Sequence, residues 1–399
     1  MLPAGDVDVF LPLLDNWKNI AIFLEQRTQA YWNHSGVWTT ETHHLTGAYD
    51  SSDYGCDGRD GWPTWLMKSG YLHVDQGGDS GTGEWSLMAL DLLLWTGNAT
   101  LAAPYLTLPF AAADYFMNHF LANNRTADGR IVVYPAQVLE TWWCDWDVPS
   151  QQFTNCPADD SPTISGMLGL FEKLLALPPA LTTPAQRAAW AAVVPQLLRL
   201  PLSADGAVIA PARVLVNGGH NDEGPELYAM HPHRLLTAGR AVARGDNISL
   251  GLRTYAASAF KNENSGWNYG RNAAALLGLA DEAAAQLIAR AQTPPAEGYR
   301  FLGLAPHMQD YDPSADHYAN YARAHQEMLL QSGDDGFENT TIVLFPAWPC
   351  AWDVSFKLWG PLATSVEVVY AGGKLLSLDV QPPARAAAVK WARCVVAAA

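Results

Sequence analysis

Residues 84–122 read EWSLMALDLLLWTGNATLAAPYLTLPFAAADYFMNHFLA. Glu84 to Thr96 has the apolar density of a helix and stops at Gly97-Asn98, a pair that closes helices. A second helical pattern, about 102–122, follows at once, so the stretch predicts a helical hairpin. Working outward, further helical patterns cover about 8–31, 184–198, 226–243, 246–260, 268–291 and 317–331. Another starts at Ser161-Pro162, with Ile164, Met167, Leu168, Phe171, Leu174 and Leu175 on one stripe. Between them lie long segments rich in Gly, Asp, Pro, His and Trp: 33–83, 134–162, 204–225, 261–267, 296–316 and 333–365. Short connections alternating with long ones point to stacked helical hairpins whose long loops gather at one end. The fold class expected is mainly α, an (α/α)6 toroid with a cleft at its loop end. From Ser365 the text changes to a β-hairpin pattern turning at Gly372-Gly373. The expected organisation is therefore a toroid over 1–364 and the start of a short, β-rich C-terminal module over 365–399.

The composition narrows the function classes. The chain has 399 residues, 49% hydrophobic and 16% charged, enough to fill a large core. Its net charge is −16, with no basic stripe, which argues against a nucleic-acid partner. The apolar runs are about one core helix long and broken by proline, so no membrane span is expected. Met1-Leu-Pro-Ala-Gly has neither a charged nor an apolar leader region, so no signal peptide is expected in this chain. Asn-x-Ser/Thr sequons at Asn33, Asn98, Asn124, Asn247 and Asn339 permit glycosylation in a secreted or lumenal protein. Of the five cysteines, Cys144 and Cys156 bracket a short loop and can pair in an oxidising compartment. Many of the 16 tryptophans fall in loop-like text, where flat aromatic faces suit the C–H faces of pyranose rings as well as a large core.

Two segments carry carboxylates in aromatic surroundings, the requirement of acid-catalysed sugar hydrolysis. In YPAQVLETWWCDWD, residues 134–147, Glu140 has Leu139, Trp142 and Trp143 as neighbours. They would desolvate it and raise its pKa, as a general acid needs; a buried ion pair is the plainer role for it. In PHMQDYDPSADHYANYARAHQEMLLQS, residues 306–332, Asp316 stands at a helix start with Asp310, Asp312 and His317 close by. It reads as a base that orients water and, equally, as a helix N-cap. Glu327, inside the helix, reads as structural. Sugar hydroxyls are matched by His220, Asn221, Glu223 and Glu226 in a third segment, HNDEGPELYAMHPH, and by Asp75 and Gln76 before the helix at 84. Trp267 lies in a polar-aromatic loop that feeds another helix. His231-x-His233 lacks a third ligand at metal-site spacing, so neither a metal nor any other cofactor is expected.

Several ordered motifs resemble the six-hairpin glycosidases, in particular proteins neighbouring the α-L-fucosidase family (glycoside hydrolase family 95). They are HSGVWTTETHHLTGAYDSSDYG (34–55), PAQVLET (135–141), DEGPELYAMHP (222–232), SGWNYGRNAAALLGLADEA (265–283), QEMLLQS (326–332) and LFPAWPCAWDVSFKLWGPLATSVEV (344–368). The resemblance implies an (α/α)6 barrel, inverting hydrolysis and an oligo- or polysaccharide substrate of fucosidase/galactosidase-like class. It puts Glu140 at the general acid and Asp316 at the general base, just before QEMLLQS. Around the base the family reads Gln-Ile-Asp-Gly-Asn where this chain has Ser314-Ala-Asp316-His317-Tyr318, so the hydrolase class carries over further than fucose itself. Asp75, Gln76, Trp142, Trp143, His220, Asn221, Glu223, Glu226, Trp267, Asp312 and His317 are the expected sugar-binding residues, and an inverting pair needs its carboxyl groups about 6.5–9.5 Å apart. A polysaccharide lyase on the same toroid and a non-catalytic carbohydrate-binding protein are the alternatives.

Overall fold

A computed structural model of the chain describes residues 1–38, 45, 81–121, 125–139, 141–142, 144–147, 149–150, 152–216, 222–263, 268–292 and 315–394. The fold is mainly α with small sheets. The chain divides into two compact units, one of residues 6–94 and 98–233, the other of residues 1–5, 95–97 and 234–399.

The first unit holds α1 (Val7–Trp32), most of α2 (Gly81–Thr96), α3 (Ala99–Ala102) and α4 (Thr107–Leu121). It continues through β1 (Asp145–Asp147), β2 (Gln152–Thr154), β3 (Ala158–Asp160), α5 (Ser161–Ala176), α6 (Pro184–Val193) and β4 (Ala212–Val214). α2 is apolar on all sides and is buried accordingly: Trp85, Leu87, Leu90, Leu92, Leu93 and Leu94 are all in the core. Its one acidic group past the first turn, Asp91, receives Lys173 of α5 at 2.6 Å. α5 starts as its Asp-Ser-Pro text demands, with Asp160 as the N-cap. Of its expected face, Ile164, Met167, Phe171 and Leu174 are buried and Leu168 and Leu175 half-buried, while Leu170, outside that stripe, is buried as well. α6 opens on a capping box between Thr183 and Gln186 and sinks Trp190. α1 leads into a close approach to α4: Gly36 has φ 113, and a Cβ there would strike the Tyr115 backbone. Glycine is the residue that fits.

The second unit holds α7 (Ala238–Arg244), α8 (Ser249–Ala257), α9 (Gly270–Leu276), α10 (Ala280–Gln292) and α11 (Ala315–Leu329). Two small sheets follow. In the first, β6 (Ile342–Leu344) pairs antiparallel with β5 (Leu330–Ser332) and parallel with β10 (Val389–Trp391). In the second, β8 (Thr364–Ala371) lies between β7 (Val354–Gly360) and β9 (Lys374–Gln381). The β8–β9 turn falls on Gly372-Gly373, both at positive φ, as the hairpin text requires. Thr364, Val366, Val368 and Tyr370 bury alternate positions of β8. A disulfide joins Cys350 to Cys394.

Three expected helices are corrected. Within 226–243 only Ala238–Arg244 is α-helical. Pro225–Leu227 is a 3-10 turn, and Pro232 has no backbone N–H with which to continue a helix. The pattern at 268–291 is broken between α9 and α10, where Gly278 adopts φ 79. The helix expected to reach residue 331 ends at Leu329, and Leu330-Gln331-Ser332 leaves it as β5.

Candidate functional site

The segment 134–147 is held from several sides. The Ala136 N–H donates to the Pro157 carbonyl at 3.1 Å, and the Asp159 N–H to the Val133 carbonyl at 2.9 Å. A disulfide between Cys144 and Cys156 adds a covalent tie, the pairing anticipated from the short loop. Val138 and Trp142 close a tight turn: the Val138 N–H donates to the Trp142 carbonyl at 2.9 Å, and the Trp142 N–H returns to Val138 at 3.2 Å. Leu139, at φ 50, occupies the left-handed region, which costs a non-glycine residue energy. Buried Gln137 fixes it by donating from Nε2 to the Leu139 carbonyl at 2.9 Å. Glu140, within this turn, lies outside the described residues.

Thr141 is buried, and its hydroxyl donates to Glu223 Oε2 at 3.3 Å. That bond joins two segments 82 residues apart in the chain and sets the expected sugar-binding carboxylate Glu223 beside the turn. Trp142 is half-buried on the turn. Glu226, half-buried, rides on the 3-10 turn Pro225–Leu227. The Ser161 hydroxyl anchors that turn at the start of α5 by donating to the Pro225 carbonyl at 2.9 Å.

Farther along the same segment, the Ser165 hydroxyl lies 3.0 Å from the Pro162 carbonyl and 2.7 Å from His233 Nδ1. The Ser165 hydroxyl thus has two neighbours, the Pro162 carbonyl and the His233 imidazole, and the His233 tautomer sets which of them takes its proton. Among the described residues no group of three His, Cys, Asp or Glu could hold a metal ion.

At the foot of the turn stand two adjacent carboxylates. Asp159 accepts from the Val133 N–H at 2.8 Å through one oxygen and takes Arg213 Nε at 2.8 Å through the other. Burial raises it above the usual carboxylate range against the pull of those partners. Asp160 is fully enclosed. Its Oδ1 accepts from the Thr163 N–H at 2.7 Å, and Oδ2 has no partner among the described residues. Burial, assisted by the Asp159 charge and opposed by the Thr163 hydrogen bonds, pushes this carboxyl up to about 7.

Of the other expected site residues, Asp75, Gln76, Trp143, His220, Asn221, Trp267 and Asp312 lie outside the described residues. Asp316 and His317 fall by their backbones in the first turn of α11, and their side chains lie outside the description. Asp316 is thus the second residue of the helix rather than the residue before it. Glu327 is buried and bonded to Arg234 at 2.6 Å, the structural part its place inside the helix indicated. Asp334 meets the same guanidinium at 3.1 Å. The residues that the sequence reading passed over are Gln137, Thr141, Asp160 and Arg213. Asp160 carries the one legible signal, an Asp three places before Thr163 and just ahead of Ser-Pro.

No model of a known protein family matches the chain, and no curated protein matches it in sequence.

Proposed function

We propose that the chain is a glycoside hydrolase of six-hairpin type, an (α/α)6 toroid that cleaves an oligo- or polysaccharide with inversion. The observation that carries this reading is the order of glycosidase-like motifs along residues 34–368, with Glu140 and Asp316 at the acid and base positions. Glu140 donates a proton to the departing glycosidic oxygen. Asp316 takes a proton from the water that attacks the anomeric carbon from the opposite face. Glu223, Glu226 and the flat face of Trp142 bind the sugar.

Several features support the acid assignment. Leu139 and Thr141, the chain neighbours of Glu140, are both buried, so the turn is part of the packed interior rather than a free loop. The turn that carries it is stapled by a disulfide and held by Gln137, and preorganised supports of this kind suit a catalytic group. Two disulfides are compatible with a secreted or lumenal setting, where extracellular glycans are met. No helix among the described residues is long and apolar enough to cross a membrane.

The test is Glu140→Gln. It should abolish release of sugars with alkoxide leaving groups and spare much of the turnover of activated aryl glycosides, which need no proton. Undiminished cleavage of a natural glycan would remove Glu140 from the acid role. Glycan binding with no turnover by the unaltered protein would favour a carbohydrate-binding protein instead.

A further inference from the structure

A concavity of about 290 Å³ in the first unit brings together Arg130, Arg199 and Arg213, which are far apart in sequence. Three guanidiniums face two carboxylates there, Asp128 and Asp159, in a chain whose net charge is −16. Two of the arginines are held in place but not used up. Arg130 gives Nε to Asp128 at 2.9 Å and Nη1 to the Leu197 carbonyl at 2.7 Å. Arg213, on β4, spends Nε and Nη2 on a single oxygen of Asp159. A guanidinium has five N–H donors and no acceptor, so each keeps about three N–H bonds to offer. Arg199 is exposed and makes no hydrogen bond or ion pair among the described residues. Donors without acceptors call for an anion with several oxygens, and the planar guanidinium fork fits a carboxylate or sulfate. Apart from Thr126, the rest of the wall is apolar, with Ile164 and Leu198 both buried in it.

We propose that this concavity is a binding site for the oxyanion of an acidic sugar, a uronate or a sulfate ester, with an apolar ring face against Ile164 and Leu198. The volume suits about one sugar ring, at the small end of ligand pockets. The anion follows from the arginines alone, whereas the choice of a sugar rests on the carbohydrate reading above. Among the described residues of the turn between Val138 and Trp142, none lines the concavity, and the acidic unit it holds need not be the one cleaved. Arg199 is the specificity element, because its donors are uncommitted before the ligand arrives.

The experiment is calorimetric titration of the full chain in 50 mM salt with sodium glucuronate, glucose 6-sulfate, glucose and sodium sulfate, repeated with Arg199→Glu and Arg199→Lys. Arg199 is exposed and unpartnered, so both variants should fold as the parent does. Saturable binding is expected for one or both acidic sugars, and whichever binds identifies the oxyanion. Affinity should fall about tenfold or more with Arg199→Glu, a change expected for loss of a charged hydrogen-bonding partner, and less with Arg199→Lys. The proposal is overturned by no binding of either acidic sugar, by equal affinity for glucose, by sulfate alone binding as tightly, or by indifference to Arg199→Glu. The Glu140→Gln protein should bind the acidic sugar unchanged, so a failure of the hydrolysis reading and a failure of this one give different results.

Discussion

Asp160 should make the protein lose stability as pH rises, and replacing it with Asn should cancel that loss. The folded carboxyl titrates at about 7, against 3.8 for the unfolded group. Between those values the unfolded chain has released a proton that the folded chain keeps. Stability from this group is therefore highest below pH 4, falls through the interval and levels off above pH 7. The full interval corresponds to roughly 4 kcal/mol, at about 1.4 kcal/mol per pH unit. The sequence pI near 5.0 makes the acid end poor for solubility, so the useful scan runs from about pH 5.5 to 8.5. About 1.5 units of the interval remain in that window, or roughly 2 kcal/mol. Asp160→Asn retains an oxygen to accept from the Thr163 N–H, and Asn caps helices as well as Asp does. Its amide hydrogens, facing the place where Oδ2 has no partner, cost a constant amount at every pH. The slope is consequently the readout, not the offset. In urea unfolding followed by tryptophan fluorescence, the stability of Asp160→Asn relative to the parent should climb by about 2 kcal/mol across the scan. Parallel curves, separated by the same amount throughout, would mean that Asp160 ionises alike in the folded and unfolded chain and would refute the reasoning.

Three further outcomes are expected. Glu327→Ala strips Arg234 of one of its two buried carboxylates, which should cost about 3 kcal/mol or somewhat more in chemical denaturation. Replacing Cys350 and Cys394 with Ser opens a loop spanning 44 residues, and the chain-entropy account puts the loss near 4 kcal/mol, visible as a lower urea midpoint. Asn33, Asn98, Asn247 and Asn339 are all exposed, so secretion from a eukaryotic host should add N-glycans. Each Asn→Gln change should then remove one endoglycosidase-sensitive mass increment, and an unglycosylated secreted product would dismiss those sites.

Much of the helical framework was legible because local signals agree with packing. The Gly97-Asn98 stop, the all-round apolar α2 and the Asp-Ser-Pro start of α5 each point to the outcome observed. The Gly372-Gly373 turn was readable for the same reason, since two consecutive positive φ values strongly favour glycine. Errors arose where apolar spacing survives a change of backbone. Ala, Leu and Gly around residue 278 keep a helical rhythm across a left-handed break. Leu330-Gln331-Ser332 fits α11 as text, yet its backbone pairs with β6 instead. The Cys350–Cys394 bridge and the division into two units depend on contacts between distant residues, which local pattern cannot carry. In the site, the aromatic and acidic text drew attention to 134–147 and 220–233, and the Thr141–Glu223 bond does join those segments. The arginine concavity escaped notice because its three cations stand singly among acidic and apolar residues, and only the fold collects them.

The most direct measurement is proton NMR of the first-formed product when the unaltered protein, Glu140→Gln and Asp316→Asn are each given a library of natural glycans. Release of a sugar with inverted anomeric configuration by the unaltered protein, and by neither variant, is the expected result. Retention of configuration, or cleavage that persists in both variants, would contradict the pairing of Glu140 with Asp316.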